Sequence, residues 1–470
     1  MTSSLIPSGV LLSLSLSAAA CAPPPPSGAT PSAPAAAEET HRFGETGITR
    51  WQDGKTGAIS LTFDDGIRTQ FTRTLPTMNR LGFPGTFYVV TGEIAGSRYP
   101  ARFVGRPIEE IVAETATVPT SATNFFERAS ALQYPGYEGT YELHRDAYNA
   151  YEPDSPAEAY AVVDDAYARI RAGEFPRGRN TTAEAAQSGE NTWEFFRQVA
   201  AQGHEFGSHT VTHAALAVLD EPNMLYELEK STEDIRAQLG PEHTFSMEGP
   251  FGVSDPRAME YLLRLFPAPR NIMDDPWLEI LLRGSRKAPG SSDREYVQWQ
   301  RGPDGNLNDS NTTETSLAQM TAWVDSTLAH PNIWLTMVFH GIDELGWSAL
   351  PGERVDAFLE YIEEHEDRLW VATFGDVTRY VRERMSATVA AEEVGGTLTV
   401  RVTHPLDPQW YGLPLTLRTY VEGDQAAFEV RQGEEVQRVA VRRDAEGRRY
   451  ILYRVVPNGG VVTIRARAGA

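Results

Sequence analysis

One cysteine, Cys21, stands in a chain of 470 residues, and a lone thiol closes no intrachain disulfide. No apolar run is long enough to span a bilayer. Positive charge is scarce: 42 Lys and Arg face 64 Asp and Glu, a formal net charge of −22. That imbalance excludes a nucleic-acid binder, because a polyanion is repelled rather than steered in. It is equally wrong for an anionic membrane surface. No internal repeat is present. What remains is an ordinary globular composition, 41% apolar and 23% charged. The length suffices for two or more domains, each with its own core.

The first twenty-one residues carry no charged side chain and end in "LLSLSLSAAAC". An apolar core, then small residues, then cysteine resembles a bacterial lipoprotein signal (residues 1–21), with Cys21 as the lipidated N-terminus. It predicts an exported protein, either membrane-anchored through a lipid on Cys21 and not otherwise membrane-bound, or periplasmic or extracellular. Residues 22–45, opening "APPPPSGATPSAPAAAEET", are too rich in Pro, Ala and Ser to pack and read as a tether.

From Trp51 the grammar is strand, helix, strand. "AISLTF" has the composition of a buried strand, Phe71, Leu75, Met78 and Leu81 share a helical face, and "GTFYVV" is a second strand. "HEFGSH", "PAPRNI", "IWLTMVF" and "LWVATF" each follow a helical stretch. The alternation predicts an α/β fold over residues 46–385, an α/β barrel or a doubly wound sheet. Residues of about 100–190 interrupt it with a mostly helical insertion, in which Ser155 and Glu158 have capping-box spacing. After Ser386 the period becomes two, as at Leu398, Val400 and Val402, which predicts a small antiparallel, sandwich-like β-domain over 386–470.

Three strand ends carry acid or imidazole. "LTFDDG" ends in Asp64 and Asp65, "GHEFGSHTVTH" brings His209 and His213, and "IWLTMVFH" closes on His340. In a parallel sheet these ends converge on the carboxyl edge, where such folds build sites. The spacing of His209 and His213 predicts one helical turn with both rings on one face. One carboxylate and two imidazoles form the ligand set of a catalytic zinc. Asp65, His209 and His213 are then the predicted ligands, Asp64 the base and His340 the proton donor.

"TFDDG", "HTVTH" and the apolar strand ending in His340, in that order, resemble the polysaccharide deacetylase family (NodB-homology, carbohydrate esterase family 4). The resemblance covers roughly residues 55–380. It implies a distorted (β/α) barrel, a divalent metal, usually zinc, and an acetylated poly- or oligosaccharide as substrate. It assigns the same roles to Asp64, Asp65, His209, His213 and His340. The family's third motif, Arg-x-Pro-Tyr/Phe-Gly, appears as "EGPFG". The backbone N–H of Phe251 would serve the developing oxyanion, but Glu248 stands where the arginine belongs. Arg270 is either its replacement, in bidentate contact with Asp64, or a surface residue. Asp274 or Asp275 of "MDDPW" would orient His340. Two other readings stay open: a non-catalytic carbohydrate-binding lipoprotein on the same scaffold, and a hydrolase of another C–N bond.

Overall fold

The computed structural model describes residues 43–134, 136–252, 255–270, 298–301, 315–330, 334–395 and 397–466. Cys21, Asp274 and Asp275 lie outside them. Among the described residues no helix is long and apolar enough to cross a membrane.

All seven residues of strand Gly57–Phe63 are buried, as expected of a strand covered on both faces. It lies inside an eight-stranded sheet whose pairings are all parallel. The order runs Ala268–Arg270, Ser246–Glu248, Glu205–Ser208, Gly85–Val89, Gly57–Phe63, Trp334–Phe339, Gln298–Arg301, with Leu369–Val371 pairing with the start of Gly57–Phe63. The two end strands do not pair with each other among the described residues, so the sheet is an open, barrel-type α/β array. Register levels its carboxyl edge. Phe63 is opposite Phe87 on one side and Phe339 on the other, with ring centroids 4.9 and 5.1 Å away.

The expected helices follow their sequence cues. Thr192 caps Trp193–Ala200 by accepting from Phe195 N–H, and Pro256 opens Pro256–Leu265 behind the Asp255 cap. The capping box expected at Ser155 and Glu158 is absent. Ser155 is used in a turn to Glu152, and the helix begins at Ala157 behind Pro156 with no side-chain cap.

The insertion consists mainly of helices Ile108–Glu114, Phe125–Gln133, Thr140–Asn149, Ala157–Arg171 and Ala183–Ser188. They bury Phe125, Leu132, Leu143, Val163 and Tyr167 in one cluster, which also takes in Ala215 and Val218. The insertion therefore packs directly on the chain just beyond His213. After Ser386 the strands are antiparallel and form two sheets over one core containing Val400, Leu417, Val430, Tyr453 and Ile464. Strand Thr46–Ile48, which no pattern in the chain announces, pairs with Leu415–Tyr420 of that C-terminal core.

Candidate metal centre and active site

Each strand end hands over one side chain. Asp64 N–H donates to Phe339 O at 2.9 Å, and His209 N–H donates to Val89 O at 3.0 Å, so the ladders continue past the strands and fix both backbones. Buried Gln70 joins the two central ends. Its Nε2 donates to Asp64 O at 2.6 Å and His340 O at 2.8 Å.

Asp65 then turns inward with φ +69°, a conformation aspartate tolerates better than most residues. Its Oδ1 lies 3.5 Å from His209 Nε2 and 3.3 Å from His213 Nε2. Ligand atoms from all three residues fall within 4.8 Å of one another. Neither contact has hydrogen-bond geometry, so Asp65 Oδ1 is a buried acceptor with no partner. His209 Nδ1 donates to Glu248 O at 2.9 Å, which fixes the tautomer that leaves Nε2 free to ligate. Three converging donors and an orphaned carboxylate oxygen fit a tetrahedral divalent ion with one position open.

The helical turn expected for "HTVTH" does not form. Residues 209–213 are a loop, with Thr210 at φ +69° and His213 at φ +60°. The cause is a buried carboxylate that the sequence did not single out. Glu227 Oε2 accepts from the N–H groups of Val211 and Thr212 at 2.7 and 2.9 Å, and its Oε1 from Thr212 Oγ1 and Tyr134 Oη. Those amides are thereby unavailable to a helix. Gly92 lies close against the loop, where a Cβ would come within 2.5 Å of Val211 O. The rings still meet, with centroids 4.8 Å apart.

Arg270 is not a surface residue. It is 1% exposed, and its Nη2 donates to both Asp64 oxygens, at 2.6 and 2.5 Å. The fork differs from the expected bidentate pair, because one nitrogen serves both oxygens while Nη1 donates to Thr62 Oγ1 at 2.9 Å. Glu248 is opposite Arg270 in register, with its Oε2 3.0 Å from Nε but outside hydrogen-bond geometry. His340 Nε2 lies 3.5 Å from Asp64 Oδ2. Its Nδ1 is buried without a partner among the described residues. Phe251, at φ +64° and 39% exposed, stands above His213 with ring centroids 4.9 Å apart.

Charge in the site is strongly coupled. Burial alone would raise the Asp65 carboxyl, but the contact with His209 and the fields of His213 and His340 hold it far below the usual carboxylate range. Burial opposes the charged form of His209, yet Asp65 and Asp64 raise it to about 9. A proton on that ring occupies the place a cation would take. Burial pushes Glu248 up to about 8 against the pull of Arg270.

A cavity of about 510 Å³ opens over these groups, walled also by Arg145, Tyr148, Glu184 and Trp347. The first three come from the insertion and carried no sequence signal, because helix-face charges and aromatics are ordinary. Gln70 offered a faint one, as a polar residue four before Thr74 on a turn where both are buried.

Residues 52–118 and 155–265 match the family model described as polysaccharide deacetylase. A gellan lyase from a Bacillus species is 26% identical over 298 residues, covering 58% of this chain and 11% of that protein. The chain thus spans about a tenth of that relative's length. A crystal structure of a polysaccharide deacetylase from Mycobacterium smegmatis, so described provisionally, is 16% identical with a TM-score of 0.36, covering 73% of this chain and 95% of its own. One from Pseudomonas aeruginosa PAO1 is 16% identical with a TM-score of 0.32, covering 71% and 93%.

Proposed function

The chain carries the polysaccharide deacetylase pattern in its motifs and across the matched residues, and from that premise we propose a metal-dependent hydrolase that removes acetyl groups from a carbohydrate. One observation supports it above the others. A trio of metal-ligand type, Asp65, His209 and His213, lies beside Asp64, a carboxylate held on both oxygens by Arg270.

Asp65, His209 and His213 would hold the ion, zinc being the best match for two imidazoles and one carboxylate. When bound, it supplies Lewis acidity toward water and the acetyl carbonyl. The rest belongs to the chain. Asp64 takes a proton from the attacking water, with Arg270 keeping it aimed. The Phe251 N–H donates to the carbonyl oxygen as negative charge develops there. His340 returns a proton to the departing nitrogen or oxygen. Asp64, Asp65 and His209 are themselves buried, so their charges act at short range and in a lower dielectric than water.

The test is acetate release from chitin oligomers, peptidoglycan fragments and acetylated xylan, with and without chelator. Release that chelator abolishes and zinc restores is expected. Binding without release would favour a carbohydrate-binding protein instead. Metal content is a separate readout: His209→Ala and Asp65→Ala should each leave purified protein with little bound zinc, and full retention in both overturns the ligand assignment. We further propose export with a lipid on Cys21, tested by labelled fatty acid incorporation that Cys21→Ser abolishes.

A further inference from the structure

Two guanidiniums line the cavity, and only one is engaged. Arg270 is bonded to Asp64 and Thr62. Arg145 is half-buried in the wall and makes no hydrogen bond or ion pair with any described residue. Partial burial removes part of its hydration, and no carboxylate returns the loss. In a chain with so many acids, an unpartnered arginine facing a binding cavity is poised for an anion brought by the ligand.

Its neighbours suit a sugar. Helix Thr140–Asn149 places Tyr148 three residues after Arg145, on the same face. Tyr148 lies 5.5 Å from Phe251, centroid to centroid, and its hydroxyl donates to Phe251 O at 3.4 Å. Two rings beside a free planar fork present an apolar face for a pyranose and a bidentate donor for a carboxylate. Glu184, the other charged wall residue from the insertion, lies 3.7 Å from His213 Nδ1.

Charge balance permits an anion here. Asp64, Asp65, Glu184 and Glu248 give the cavity four carboxylates, which Arg270, Arg145 and a divalent ion would offset. The −22 of the whole chain is screened beyond about 8 Å at physiological salt.

Resting on the deacetylase reading, we propose that Arg145, with Tyr148 and Phe251, forms a subsite for a carboxylate carried by the glycan, so that the substrate is an acidic acetylated saccharide. Two sources share that chemistry: a uronic acid in the chain, or the lactyl ether of a muramic acid.

Calorimetric titration of the full chain tests it, using trigalacturonate against its carboxyl-reduced form, and a muramic-acid disaccharide against its methyl ester. The wild type should bind one acid about tenfold or more tighter than its neutral form, as for a charge-assisted pair. The acid that shows the preference identifies the source. Arg145→Gln should lose that preference while binding the neutral form as before, and Arg145→Lys should keep part of it. Absence of any preference in the wild type, or an undiminished preference in Arg145→Gln, overturns the subsite. Acetate release is read separately. Preference without release keeps the subsite and removes the deacetylase reading, and release without preference does the reverse.

Discussion

Asp64 and Asp65 are adjacent in the chain but cannot do the same work. Asp65 points its orphaned oxygen at two imidazoles, whereas both oxygens of Asp64 are taken by Arg270. Asp64→Asn should therefore keep the metal and lose about 10²–10⁴-fold in turnover, since an amide accepts no proton. Acetate release near the wild-type rate would move the base elsewhere. Arg270→Lys isolates geometry from charge. A single ammonium can follow Asp64 or Thr62 but cannot hold both in the fork's plane. Turnover should fall about tenfold, or ~1.4 kcal/mol, with bound metal unchanged, and an unchanged rate would make the pair structural only.

Among the elements, helix Thr140–Asn149 is tied to the loop after His213 by a neutral histidine. His144 Nδ1–H donates to Ala129 O at 2.8 Å, and its Nε2 accepts from Ala215 N–H at 3.1 Å. Burial lowers this ring from 6.5 to about 4. A depressed folded value means that the contribution is present above about 6.5 and is lost as pH falls toward about 4, worth on the order of 3 kcal/mol in full. Thermal unfolding followed from pH 7 to pH 4 should show that loss, and His144→Asn should flatten the curve. An identical slope in both would remove His144 as its source.

The same scale shows how far sequence reaches. Gly57–Phe63, Gly85–Val89 and Trp334–Phe339 were legible because uninterrupted apolar runs mark strands buried on both faces. The residues at their ends were legible because a parallel sheet gathers its carboxyl edge. The helical turn at His209–His213 was misread, since nothing nearby in sequence reveals that Glu227 takes the amides of Val211 and Thr212. Arg270 was legible only as a candidate, because its value depends on register with Glu248. Of the cavity's lining, Arg145, Tyr148, Glu184 and Trp347 were not legible.

At the scale of the molecule, the C-terminal strands are bound to what precedes them. Thr46–Ile48 completes a sheet with Leu415–Tyr420. Tyr380 is buried in the C-terminal core with Trp370 packed against it, while Tyr411 joins Trp51, Phe245 and Phe374. Each large side chain so buried is worth roughly 1.5–3 kcal/mol. A chain ending at Ser386 should therefore fail to accumulate as soluble protein, and the full chain should melt in one calorimetric transition. Two well-separated transitions, or a soluble and active truncation, would show that the parts stand alone.

Gln70 and Glu227 bear on transplantation. Copying Asp64, Asp65, His209, His213 and His340 onto a foreign barrel would copy the chemistry without its scaffolding. Gln70 sews the backbone of Asp64 to that of His340, which lies 270 positions beyond Gln70 itself, and Glu227 holds the loop in which Thr210 and His213 keep left-handed backbones. With Arg270, which aims Asp64, the smallest portable unit is thus eight residues with their loops, and a five-residue graft should recover ligands that drift and an acid and base that no longer move together.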